Sequence, residues 1–234
     1  MQPVPRTRTG PTPGSYGAEQ VATGLMSQVY WWMSVGLGLT GLIAYAVSHV
    51  PPLTELIFGS PILFYGLLFG ELAMVWFLSA RISRMSAVGA ITAFLIYSGL
   101  NGLTLGVVFL VYTEASIAST FFITGGTFGA MAAYGTLTKK DLSGWGSFLF
   151  MGLIGIIIAM VVNIFLQSSM LYWGITIFGV LIFTGLTAYD VQRIRAMAMD
   201  NPSMPNLAVH GALRLYLDFI NLFLMLLRLF GDRR

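Results

Sequence analysis

The sequence predicts an all-α membrane protein of seven transmembrane helices, six of them surrounding a central C-terminal helix, and three observations carry that prediction. Of 234 residues, 56% are hydrophobic and only 9% charged, against about 25% charged in an ordinary soluble domain. The apolar residues fall in long uncharged runs, and about 20 such residues in a helix cross the hydrocarbon of a bilayer. The runs are continuously apolar, whereas strands of a membrane barrel alternate with a period of two over roughly ten residues.

The segments follow in order. Residues 1–24, opening "MQPVPRTRTGPTPGSYG", are rich in Pro, Gly and Thr and lack an apolar stretch. They are not a signal peptide and read as a disordered cytoplasmic arm. Residues 25–234 read as one transmembrane domain. Its candidate spans are Val29–Val47, Ile62–Ser79, Ala87–Tyr112, Ile117–Thr138, Trp145–Leu166, Met170–Tyr189 and Leu207–Phe230. The second contains Glu71 as its single charge; the next four contain none. Trp31, Trp32, Trp145 and Trp173 mark span ends, as interfacial aromatics do.

Lysine and arginine collect in cytoplasmic loops. Arg6 and Arg8, Arg81 and Arg84, Lys139 and Lys140, and Arg193 and Arg195 occupy alternate connections, while the intervening ones hold only His49, Glu55 and Glu114. The N-terminus is therefore expected in the cytoplasm. Arg233 and Arg234 would then lie outside if the last helix crosses, against the rule, so charge counting leaves open whether that helix crosses or re-enters. The net charge of +3 belongs to these loops and forms no nucleic-acid face. Cysteine is absent, which excludes disulfides and thiolate metal sites. Gly102/Gly106 and Gly125/Gly129 have the spacing that lets helices approach closely in lipid; packing within one bundle is the expectation, and with it a monomer.

Ionisable residues inside a membrane face a bundle interior or a water-filled path. Asp190 ends the sixth span in "GLTAYDVQRIR". Asp218, in "LYLDFINLFLMLLRLFG", lies about one turn inside the hydrocarbon from the same face. Arg214, Asp218, Asn221 and Met225 form one stripe of the last helix at 100° per residue, and Arg228 falls near its edge. The apolar part, Leu215–Phe230, is only about 24 Å long at 1.5 Å per residue, short for a lipid-facing span and suited to a shielded one. If Asp190 and Asp218 meet, they hold one proton between them in a low-dielectric site, and Arg81, at similar depth, is available as a counter-ion. Their arrangement would then be a pH switch. The competing arrangement has Asp190 capping the sixth span while Asp218 pairs with Arg214 one turn back. Glu71, mid-span, is either a protonated acid hydrogen-bonded to a neighbour or a station on an ion or proton path.

"KKDLSGWGSFLFMGLIGIIIA" (Lys139–Ala159), "GLTAYDVQRI" (Gly185–Ile194) and "LYLDFINLFLMLLRLFG" together resemble the Bax inhibitor-1 (transmembrane Bax inhibitor motif) family, in its bacterial branch, over about Met26–Arg234. The resemblance implies six helices around a seventh and a pH-sensitive calcium leak of the inner membrane. It places the gating aspartate pair on Asp190 and Asp218 and the partner arginine on Arg81, with Arg84 the alternative in register. Glu71 matches an acidic position, and Glu71 and Asn221 are the candidate path residues. Calcium is then the transported ion and not a cofactor; Asp190 and Asp218 offer it hard oxygen contacts, too few for a tight site. The partners expected are the lipid bilayer, calcium ions and protons.

Two further classes compete. Some bacterial relatives are linked to a membrane quality-control protease, which the N-terminal arm could engage as a regulatory partner. An intramembrane aspartyl protease also uses two aspartates, but its GxGD element is missing, since Asp218 follows "RLYL". No enzyme activity and no cofactor are expected. A retinal receptor is excluded, because no span holds a lysine for a Schiff base.

Overall fold

The computed structural model describes residues 13–201, 204 and 206–234 and is helical throughout. Eight α-helices follow in order: α1 Pro13–His49, α2 Pro51–Phe58, α3 Pro61–Arg81, α4 Ala87–Val111, α5 Glu114–Leu137, α6 Ser143–Leu166, α7 Ser169–Asp200 and α8 Leu207–Phe230. A 3-10 turn, Ile82–Arg84, links α3 to α4. Among the described residues there is no strand, only an isolated bridge between Tyr112 and Arg233.

Local chemistry sets the breaks. Ser60, Ser86, Thr113 and Ser168 each accept a hydrogen bond from a backbone N–H in the first turn of α3, α4, α5 and α7, satisfying donors that helix starts leave orphaned. Pro51 and Pro61 stand in the first turns of α2 and α3, where their fixed φ and missing N–H cost nothing. Gln167 and Asn206 turn the chain in left-handed backbone at φ 49° and 58°.

Among the described residues six helices are long and apolar enough to cross a membrane: α1, α3, α4, α5, α6 and α7. They coincide with the first six spans expected, so this is an integral membrane protein. α8 coincides with the seventh segment but is not one of that group; it is instead the most thoroughly buried helix, with Tyr216, Leu215 and Leu222 sealed and packing partners in α1, α4, α5 and α7.

Two details differ from expectation. α2 occupies the connection read as a plain loop, with Ile57 buried. The arm expected over residues 1–24 lies outside the described residues as far as residue 12, but residues 13–24 belong to α1. Ala22 is fully buried against Ala198 and Leu207, a contact that composition cannot reveal.

The glycine pairs separate. A Cβ on Gly102 would stand 2.8 Å from the Thr40 carbonyl oxygen and from Ile43 Cβ, and Gly106 packs on Val47. Gly102 and Gly106 thus let α4 lie directly on α1. Gly125 and Gly129 face open space.

The C-terminus is tied to the α4–α5 connection. Thr113 N–H donates to the Asp232 carbonyl at 3.0 Å and Arg234 N–H to that of Val111 at 2.9 Å, while Asp232 N–H donates to Ser116 Oγ at 2.8 Å. Arg234 approaches Glu114 at 3.5 Å, and Glu114 also meets His49 at 3.2 Å. At the other end of α8, Asn206 Nδ2 donates to the carbonyls of Ile82 and Met85. α8 therefore runs the length of the bundle from the Arg81–Arg84 end to the opposite one, and does not turn back. Charge counting had left those alternatives open.

Candidate functional site

α3 packs on α4 and α2, and α6 on α7, with no appreciable contact between α3 and α6. The gap they flank is a cavity of about 1190 Å³ floored by α8 and walled by α3, α4, α6 and α7. Its lining includes Ser143, Tyr189 and Arg193 from the basic end of the bundle and Val111, Tyr112 and Arg228 from the opposite end. Glu71, Asn101, Asp190, Arg214, Asp218 and Asn221 all line it.

Asp190 and Asp218 share one end of this cavity and are both buried, 8% and 5% exposed. They lie close enough to act on each other electrostatically. Arg214 Nη1 donates to Asp190 Oδ1 at 2.9 Å. Asp218 Oδ2 is buried without a hydrogen-bond partner among the described residues. An anionic carboxylate left so would be costly, so this oxygen is the group in the site most open to a proton, a cation or water. Arg193 adds positive charge near Asp190 while donating to Tyr189 Oη at 2.9 Å. His210, one turn before Arg214, has its Nδ1 buried without a partner among the described residues.

The ion pair in this cluster differs from the one expected. Arg81 and Arg84 are exposed, and among the described residues neither side chain makes a hydrogen bond or ion pair. α3 packs on α2 and α4 and makes no appreciable contact with α7, which carries Asp190. Arg214 takes that place from inside the cavity. Nor does Arg214 bridge back to Asp218 along its own helix. Basic-then-acidic is the poorer order for a pair four residues apart, and the long guanidinium arm spans to α7 instead. Its spacing from Asp218 was visible in the sequence; its cross-helix partner was not.

The second polar cluster lies on the α3–α4 wall. Glu71 is buried, and Thr104 Oγ1 donates to its Oε1 at 2.6 Å while Asn101 Nδ2 approaches Oε2 at 3.5 Å. Asn101 Oδ1 has no partner among the described residues. Asn221 donates to the Leu217 carbonyl of its own helix at 2.8 Å, leaving its oxygen for the cavity. Thr104 carried no warning in the sequence: one hydroxyl in an apolar span becomes a partner only when two helices meet. Among the described residues no three His, Asp or Glu side chains converge in a way that could hold a metal ion. Two carboxylates alone are too few to hold a calcium ion tightly, since calcium takes six to eight oxygens.

A family model for the inhibitor of apoptosis-promoting Bax1 matches residues 22–234. An inner membrane protein of Escherichia coli, YbhL, is 50% identical over 214 residues, covering 89% of this chain and 92% of that one. A Borreliella burgdorferi protein is 46% identical with the same shares covered. A Streptococcus pyogenes membrane protein is 36% identical over 209 residues, 88% of this chain and 91% of its own.

Proposed function

The chain belongs to the Bax inhibitor-1 family, and from that premise we propose that it is a pH-sensitive passive leak for cations, with calcium as the transported ion, gated by Asp190 and Asp218. The observation that carries this reading is the cavity, which holds both aspartates and Glu71 on one continuous lining reaching toward both ends of the bundle.

The gate works through charge. With one proton shared, the pair carries a single negative charge, and Arg214 balances it at Asp190. Loss of that proton sets two carboxylates against each other in a poorly solvated site, and repulsion separates α7 from α8 or draws Arg214 between them. Either movement alters the cavity floor. Asp218 Oδ2 and the oxygens of Asn221, Asn101 and Glu71 then offer successive weak contacts to a dehydrating cation. The cavity is lined by one chain, so a monomer suffices for the path.

On this reading α8 is a seventh span and the central helix. The basic end faces the cytoplasm by the charge rule, which puts the C-terminal clamp on the opposite side, and the membrane is the bacterial inner membrane, as the name of the E. coli relative says of that protein.

The test is calcium flux into liposomes with an entrapped dye, from about pH 6 to 8, for the wild type, Asp190→Asn and Asp218→Asn. Each variant is expected to change flux on the order of tenfold and to flatten its pH dependence, because one partner can no longer ionise. Wild-type profiles in both variants would remove the paired gate. No flux from the wild type would favour the regulatory role beside a membrane protease.

A further inference from the structure

Arg228 is a charge on the cavity lining that the gate does not use. It stands in the last turn of α8, half-buried, on the cavity lining with Tyr112 and Val111. Among the described residues its side chain makes no hydrogen bond or ion pair. Among the described residues Glu55 and Asp232 at that end also make no side-chain hydrogen bond or ion pair, and the remaining charges there are engaged. Glu114 meets His49 and Arg234, and the Arg233 guanidinium lies 5.9 Å from the Tyr112 ring centroid and donates to Tyr172 Oη. A helix C-terminus favours a cation, which explains Arg228's place in the last turn but not its turn toward the cavity. A guanidinium keeps its charge at every physiological pH. A positive charge held on the lining at a low-dielectric mouth raises the potential at that point of the path and depletes cations there.

Resting on the transport reading above, we propose that Arg228 is a fixed electrostatic barrier at the end of the path opposite the aspartate gate, slowing cation entry and penalising divalent ions most. A potential at a mouth lowers the local population of an ion exponentially with the ion's charge. The penalty on calcium is therefore the square of that on potassium. A structural role for Arg228 would change both fluxes by the same factor.

The experiment compares calcium and potassium flux in liposomes for the wild type, Arg228→Gln, Arg228→Lys and Arg228→Cys. Arg228→Gln is expected to raise calcium flux on the order of tenfold and potassium flux about threefold, and Arg228→Lys to behave as wild type. The chain contains no cysteine, so Arg228→Cys carries the single thiol. Modifying it with an ammonium-bearing thiosulfonate restores slow calcium flux, and a sulfonate-bearing one raises flux further, in the same folded protein. Equal changes for both ions, or indifference to the sign of the attached reagent, overturns the barrier while leaving the leak intact. Absence of calcium flux from the wild type and every variant overturns the transport reading and the barrier with it.

Discussion

α6 and α8 have opposite characters, and each sits where soluble-protein intuition would put the other. α6 is the most hydropathic of the spans, yet its buried residues are only Leu149 and Ile156, while Phe165 and Ile164 are 82% and 68% exposed. α8 carries His210, Arg214, Asp218, Asn221 and Arg228 and is enclosed by other helices, with one side turned to the cavity. In lipid the apolar helix loses nothing by facing outward, since the tails are as apolar as leucine. The polar helix has to be enclosed, because its charges are tolerated only among protein groups or in a wet cavity. Hydropathy here measures exposure to lipid, and polarity measures burial.

The sharpest way to break that contrast is to truncate one large side chain in each helix. Tyr216 is fully buried, edge-on to Phe94 and Tyr97, with its hydroxyl 2.7 Å from Thr40 Oγ1. Tyr216→Ala is expected to cost about 3–5 kcal/mol through the void it leaves. Phe165→Ala on α6 should stay within about 0.5 kcal/mol. Thermal unfolding in detergent measures both, and equal losses would refute the inversion.

A smaller effect separates the two glycine pairs. Gly102→Val drives a side chain into the Thr40 carbonyl and Ile43, and should cost about 1–3 kcal/mol. Gly125→Ala meets nothing within 4 Å and is expected to be neutral or stabilising by up to about 1 kcal/mol. The same unfolding assay decides, and matching losses would mean that spacing alone predicts packing.

The smallest effect concerns how the two helices begin. α8 starts on tertiary contacts, through Asn206 to the carbonyls after α3. α6 adds a local contact to a tertiary one. Leu142 N–H donates to Gln192 Oε1 of α7 at 2.8 Å. Ser143 N–H donates to the exposed Asp141 carboxylate at 2.8 Å, and hydrogen bonds from Ser143 hold that carboxyl below its ordinary range. Its folded value being the lower one, its contribution is complete above the ordinary carboxylate value of about 4 and is lost as pH falls through the folded value. Asp141→Asn should flatten that small part of the acid-side stability profile. An unchanged slope would mean that the α6 start does not depend on the charge.

Much of the fold is legible in the sequence. Every apolar run expected to be a helix is one, and Asp190 and Asp218, expected at one level, both line the same cavity. Ala22 shows why the start of α1 was not legible: its helix continues because Ala198 and Leu207 lie beside it, not because its residues announce a helix. Arg214 shows the same for the site, since an arginine one turn from Asp218 could serve its own helix or the next. Arg81 ends exposed while Arg214 holds Asp190, a choice between two nearby arginines that depth along the helix does not make.

By itself the sequence determined the solvent, the order of the apolar helices and the position of each charge along its helix. Those properties follow from composition and a fixed rise per residue, one helix at a time. Tertiary structure alone decided that α8 runs to the far end, that Arg214 answers Asp190, that Thr104 answers Glu71 and that Arg228 turns into the cavity. These depend on the rotation of each helix about its axis and on which neighbours it meets. That rotation is set by the sum of many weak packing contacts across the bundle, which no single segment contains.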